Sequence, residues 1–101
     1  MTPGHVVLQT PNGRLRYRFH ARDVNLIMGG GGQRAGVRFR VSLDGQPPGT
    51  AHGVDVDTGG TGTAVEPRMY QLIRQPSSIV DRHVDIEFLD AGVEAFAFTF
   101  G

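Results

Sequence analysis

The sequence predicts an all-β protein of two packed antiparallel sheets, and three observations carry that prediction. Short runs rich in Val, Ile, Phe and Tyr alternate apolar and polar residues, the period of two that a half-buried strand requires. Fifteen glycines and six prolines among the 101 residues fall between those runs, about twice the usual share and placed as turn punctuation. No segment repeats apolar residues at the 3.6-residue spacing of an amphipathic helix. Roughly eight short strands at 8–12-residue spacing make a two-sheet sandwich.

Taken in order, the first strand is expected at 5–9. Asn12-Gly13 follows, a pair suited to a hairpin because both residues accept positive φ. Residues 14–22 alternate most clearly, with Leu15, Tyr17, Phe19 and Ala21 toward the core and Arg14, Arg16, Arg18, His20 and Arg22 away from it. A strand at 24–28 leads into a flexible connector at 29–32. At 37–43, Val37, Phe39, Val41 and Leu43 face in while Arg38, Arg40 and Ser42 face out. Asp44-Gly45 turns the chain, and Pro47-Pro48-Gly49 forbids a regular ladder. Residues 50–62 read as a long polar loop with a short strand at 54–56. A strand at 68–74 sets Tyr70 and Leu72 against Met69, Gln71 and Ile73, and 75–78 break it. At 83–89, Val84, Ile86 and Phe88 oppose His83, Asp85 and Glu87. Ala91-Gly92 turns into 94–100, where Phe96, Phe98 and Phe100 share a face. The chain reads as one domain, 1–101, without repeat or linker.

Composition excludes several functions. With no cysteine there is no disulfide framework, thiolate nucleophile or thiol redox chemistry. All ten cations are arginine and balance ten acids, so the basic excess of a dedicated nucleic-acid binder is missing. A Walker loop needs lysine, and there is none. Gly30-Gly31-Gly32-Gln33-Arg34-Ala35 fits the relaxed dinucleotide fingerprint, but a strand follows it where the pyrophosphate needs a helix N-terminus. No apolar run approaches the ~20 residues of a membrane span, and no signal peptide is recognisable.

The arginine ladder is the most unusual feature. Arg14, Arg16, Arg18 and Arg22 on one strand and Arg38 and Arg40 on another put six guanidiniums on one surface if the strands share a sheet. Planar bidentate donors suit an anionic or polyhydroxylated ligand. The competing reading is a solvated outer face balanced by Asp85 and Glu87, which pair with arginines across the sheet. Sugar recognition commonly uses an aromatic platform. The chain has no Trp and two tyrosines, and Tyr17 points to the core, so Tyr70 would stack a sugar only if exposed. Asp55, Asp57, Gly60 and Glu66 occupy positions 1, 3, 6 and 12 of an EF-hand loop. Gly59 at position 5, the missing helix and Pro67 argue against an EF-hand. A structural calcium ion at Asp55 and Asp57 and a solvated turn remain the alternatives, with His52 near enough to join a site. A hydrolase built on a carboxylate pair is the remaining catalytic alternative.

Longer segments carry a resemblance: FHARDVNL at 19–26, VRFRVSLDGQPPG at 37–49, HGVDVD at 52–57, MYQLIRQ at 69–75 and EFLDAGVEAFAFTFG at 87–101. Through them essentially the whole chain resembles the C-terminal domain of bacterial thioredoxin-like proteins, including the DipZ-type cytochrome c biogenesis and thiol–disulfide interchange proteins. The resemblance implies an antiparallel two-sheet jelly-roll β-sandwich similar to carbohydrate-binding modules. It implies that a thioredoxin-fold domain carrying the redox cysteines precedes this module in a longer protein, on the outer side of the cytoplasmic membrane. It transfers no catalytic residue. The expected function is therefore a non-catalytic accessory domain that binds a saccharide or envelope component. The alternative is a structural module docked on the thioredoxin domain. The expected ligand residues are Arg16, Arg18, Arg38 and Arg40, then His52, Tyr70 and Gln71. No cofactor is expected beyond the candidate calcium, and no nucleic acid or direct membrane insertion.

Overall fold

A computed structural model describes residues 6–7, 13–32, 34–76 and 79–101, the side chains of residues 6, 7 and 96 excepted. Eight strands appear: β1 (Val6–Val7), β2 (Gly13–Phe19), β3 (Asp23–Gly29), β4 (Val37–Leu43), β5 (Thr61–Ala64), β6 (Arg68–Arg74), β7 (Arg82–Phe88) and β8 (Glu94–Phe100). The only helical element among the described residues is one 3-10 turn, Gly49–Ala51, and no helix there is long and apolar enough to cross a membrane. The sheets run β1-β8-β3-β6 and β2-β7-β4-β5, all pairs antiparallel. That order is a jelly roll, in which successive strands cross between sheets and only β4 and β5 are neighbours both in sequence and in space.

On β4 and β7 the alternation does what it predicts. Val37, Phe39, Val41 and Leu43 of β4 and Val84, Ile86 and Phe88 of β7 are buried, against Val24, Leu26 and Met28 of β3 and Tyr70 and Leu72 of β6 from the other sheet. Asp44 and Gly45 both take positive φ, 52° and 79°, and Leu43 and Gln46 exchange backbone hydrogen bonds around them. This is the backbone that a two-residue turn demands.

Five expectations change. Tyr17, expected in the core, is 36 % exposed, because β2 is an edge strand and the ring lies over Phe98 and Phe100 at the rim. The first two strands do not form a hairpin: β1 pairs with β8 and β2 with β7, while Asn12 lies outside the described residues. The second strand stops at Phe19, because the chain bends at 21–22 to cross to the other sheet. The strand expected at 54–56 is a turn, and the missing strand is β5. Ile73 is fully buried although its parity points outward. A bulge between Val24 and Asn25 shifts the register beside it, and residues 52–55 lie along the free edge of β6. There Gly53 donates to the Leu72 carbonyl at 2.8 Å and Asp55 to the Gln71 carbonyl at 3.1 Å, which covers that edge.

Candidate ligand-binding site

Strand β7 lies between β2 and β4, so the arginines flank its acids on the outer face of that sheet. In register, Arg14 and Arg40 sit either side of Glu87, and Arg16 and Ser42 either side of Asp85. Arg16 donates to Asp85 Oδ2 through Nε at 3.2 Å and through a terminal nitrogen at 3.0 Å. Arg14 approaches Asp85 Oδ1 at 3.3 Å, and Arg14 and Arg40 each approach Glu87 at 3.9 Å. Arg18 donates to Asp81 at 2.8 Å, and the same carboxylate meets His20 Nδ1 at 2.6 Å. Arg38 grips Asp90 with its backbone N–H at 3.0 Å and two guanidinium nitrogens at 2.9 and 2.8 Å. Thus each of the five arginines that share this face has a carboxylate beside it. The sixth expected member, Arg22, is not on the face: the strand has ended, and its guanidinium lies by Asp23 at the start of β3. Exposed pairs of this kind contribute little stability and exchange readily with water or a ligand.

The second group of expected residues holds the long loop in place. Tyr70 is 1 % exposed. Its hydroxyl donates to the Glu66 carbonyl at 2.7 Å and accepts from the Val65 N–H at 2.9 Å, and the Arg68 guanidinium lies 3.8 Å over its ring. Tyr70 therefore presents no face on which a sugar could stack, because its strand parity puts the ring in the core. Asp55 is engaged by Arg68 at 2.8 Å and by the Gln71 N–H at 2.7 Å. Asp57 accepts from the Thr61 N–H at 2.9 Å and so closes the turn before β5. No group of three or more His, Asp or Glu side chains suited to a metal ion occurs among the described residues. Gln71 accepts from the Val54 N–H at 3.2 Å, and the Nδ1 of His52 contacts the carbonyls of Gly53 and Val56, both at 2.8 Å.

These networks set the acid response. The Arg68 guanidinium and then the Gln71 N–H hold Asp55 below the usual carboxylate range. The His83 N–H and then Arg82 do so for Asp44, and Arg18 followed by His20 for Asp81. Arg38 holds Asp90 at about 2. A carboxyl lowered by folding stabilises the fold above its unfolded value, about 3.9, and loses that contribution as pH falls toward the folded value. The melting temperature is expected to hold from neutral pH to about 4 and to fall between about 4 and 2. A melting series by circular dichroism checks this; a fall complete before pH 5 would place the sensitivity elsewhere.

Two hollows open at one end of the sandwich, where residues 20–22, 44–50, 75–76 and 79–81 lie between strands. One, of about 410 Å³, is lined by Arg16, Asp44, Gly45, His83 and Asp85. The other, of about 460 Å³, is lined by Arg22, Thr50, His52, Arg74, Gln75 and Pro76. Arg82 ties the two together, donating to Asp44 and, at 3.4 Å, to the Gln75 side-chain carbonyl. The structure thus brings Arg16 and His52 to the same end. It leaves Arg18, Arg38, Arg40, Tyr70 and Gln71 outside both hollows. Asp44, Thr50, Arg74 and His83 enter the site only through strand topology, since they lie in four separate stretches of sequence.

The fold is a two-sheet antiparallel jelly-roll sandwich with two hollows at its loop end. The chain belongs to the thioredoxin-like C-terminal domain family, whose model matches residues 1–101. No curated protein matches the sequence. Among solved structures, the chain is similar to the family two carbohydrate esterase from Cellvibrio japonicus (13 % identity, TM-score 0.65, 97 % of this chain and 31 % of that one). It is similar also to the family two carbohydrate esterase from Clostridium thermocellum in complex with cellohexaose (12 %, 0.63, 97 % and 31 %). It spans about a third of the length of those esterases. Carbohydrate-binding module CBM36 in complex with calcium and xylotriose is matched over 100 % of this chain and 92 % of its own, at 10 % identity and a TM-score of 0.51. At these identities the likeness is one of fold.

Proposed function

We propose that this is a non-catalytic, saccharide-binding accessory domain of a thioredoxin-like oxidoreductase, acting outside the cytoplasmic membrane on a saccharide or envelope component. The hollow lined by Arg16, Asp44, His83 and Asp85 supports the reading best. It sets guanidinium donors beside carboxylate acceptors at an open end of the fold, and a sugar hydroxyl needs one of each. The resemblance in fold to a module described with xylotriose supports it further. The arginines of the ladder, Arg18, Arg38 and Arg40, would extend contacts along the adjoining face by exchanging exposed ion pairs for ligand hydroxyls. Titrating the domain with a broad glycan panel is expected to shift the backbone amides of Gly45, His83 and Asp85, and Arg16→Met is expected to abolish the shifts. Amides that stay in place across the panel would overturn the reading.

The alternative, docking on the thioredoxin domain, is favoured by one observation. Tyr17 stacks on Phe98 and Phe100 at ring-centroid distances of 5.3 and 5.4 Å, yet Tyr17 is 36 % and Phe100 40 % exposed. Partly exposed aromatics are characteristic of protein interfaces. The stability and disulfide-exchange rate of the thioredoxin domain, measured with and without this module, separate the readings. Values unchanged by the module would remove the docking role.

A further inference from the structure

We propose that the hollow formed by Arg22, Thr50, His52, Arg74 and Gln75 binds the carboxylate of an acidic saccharide. The proposal rests on the saccharide reading above and gives it a substrate class. Its first support is the pairing of the arginines. Arg16, Arg18, Arg38 and Arg68 hydrogen-bond a carboxylate at 2.8–3.0 Å. Arg22 and Arg74 instead share one oxygen, Asp23 Oδ1, at 3.7 and 3.9 Å. Those separations are too long for hydrogen bonds, and that buried oxygen has no hydrogen-bond partner. Among the described residues no hydrogen bond occupies either guanidinium, as is also true of Arg40, but only Arg22 and Arg74 stand together in one hollow, their side chains 51 % and 53 % exposed. Asp23 and Arg74 face each other across the β3–β6 ladder, and Arg22 is the residue before Asp23, so the two forks start from neighbouring positions at the end of that ladder. A carboxylate entering the hollow can accept from both.

The second support is the frame. Arg22 donates its N–H to the Gly101 carbonyl at 3.0 Å and accepts from the Gln75 N–H at 2.8 Å. Gln75, 3 % exposed, donates its side-chain amide to the Ala21 carbonyl at 2.9 Å. The wall from which Arg22 projects is thus held by backbone bonds before any ligand arrives.

The third support selects a sugar acid over a simple anion. The two carbonyls at His52 Nδ1 accept only, so that nitrogen carries the hydrogen. His52 lines the same hollow as both guanidiniums. Thr50, which is exposed, offers a hydroxyl that can donate or accept. Two cationic forks with a neighbouring hydroxyl match a carboxylate carried on a ring that also bears hydroxyls.

The test compares trigalacturonate, its fully methyl-esterified form and inorganic phosphate, followed by amide shifts and calorimetry. Trigalacturonate is expected to shift the amides of Arg22, Asp23, Thr50, His52 and Gln75. Methyl esterification, or the pair Arg22→Gln with Arg74→Gln, is expected to weaken binding about ten- to hundredfold, the range for charge-assisted hydrogen bonds. Arg22→Lys with Arg74→Lys, which keeps charge but loses the fork, should fall between. The melting temperature of each variant verifies that it is folded. The ester binding as well as the acid, or folded Gln variants binding unchanged, would overturn this proposal and leave the saccharide reading standing. Phosphate binding as tightly as trigalacturonate would overturn the sugar-acid selection. No binding by any glycan in the wider panel would overturn both.

Discussion

Replacing Phe39 with alanine is expected to lower stability by about 3–5 kcal/mol, the usual cost of truncating a buried aromatic in a core that cannot collapse. Phe39 is fully buried at the centre of β4. It pairs in register with Phe88 of β7 on one side and Gly62 of β5 on the other. Its ring packs tilted on Phe88 with centroids 6.5 Å apart. On the other side it fills the space a side chain at 62 would need, since a Cβ there would lie 2.6 Å from the Phe39 Cζ. Laddered strands on both sides hold the cavity walls apart, so little relaxation can offset the loss. A domain of this size has about 5–15 kcal/mol in total. The melting temperature should fall about 4–8 °C for each kcal/mol lost. Phe39→Leu, which keeps most of the volume, is expected to cost less than about 1.5 kcal/mol. Denaturant titration followed by circular dichroism measures both. Equal and small losses would mean that the core repacks around residue 39.

Gly60→Ala is expected to cost about 2–4 kcal/mol, from a strained positive φ together with one broken buried hydrogen bond. Gly60 has φ +90°, and a Cβ on it would lie 2.0 Å from the Val41 carbonyl oxygen and 3.0 Å from Pro48 Cδ. The closeness is needed, because the Gly60 carbonyl accepts from the Val41 N–H at 2.7 Å and seats the loop on β4. The same loop carries Thr50 and His52. Gly60→Ala should therefore move the amides of both residues and weaken ligand binding at their hollow as well as lower the melting temperature. A variant that melts as the parent does, with the His52 amide unmoved, would show that the loop is held from elsewhere.

Much of the fold was legible because a strand's alternation is a local consequence of the pleat. Val37, Phe39, Val41 and Leu43 had to face one way and Arg38 and Arg40 the other, whatever the neighbours. Asp44-Gly45 signalled a turn for an equally local reason. Strand partners were not legible. Arg16 and Asp85 are 69 residues apart, and no period in the sequence says that β7 lies between β2 and β4. A turn dipeptide between two strands suggested a hairpin, but in this topology neighbouring strands come from distant parts of the chain. Short β5, with Gly62 and polar threonines, shows too little apolar alternation to be seen.

The candidate site divides in the same way. Arg16 and His52 were marked by their types and reach the loop end, while Tyr70 was marked by its type and is taken by the core. Arg22 was read onto the ladder because nothing local announces that the strand ends three residues earlier. Arg74, Thr50, Asp44 and His83 gave no signal as a group.

The sequence by itself determined which side chains face the core on the regular strands β4 and β7, the absence of cysteine, and membership of a family, since these follow from residue identity and short-range geometry. Only the tertiary structure decided which acid neutralises which arginine and which arginines keep their donors free. Those outcomes depend on the order of strands across two sheets, and that order is set by how the apolar faces pack together.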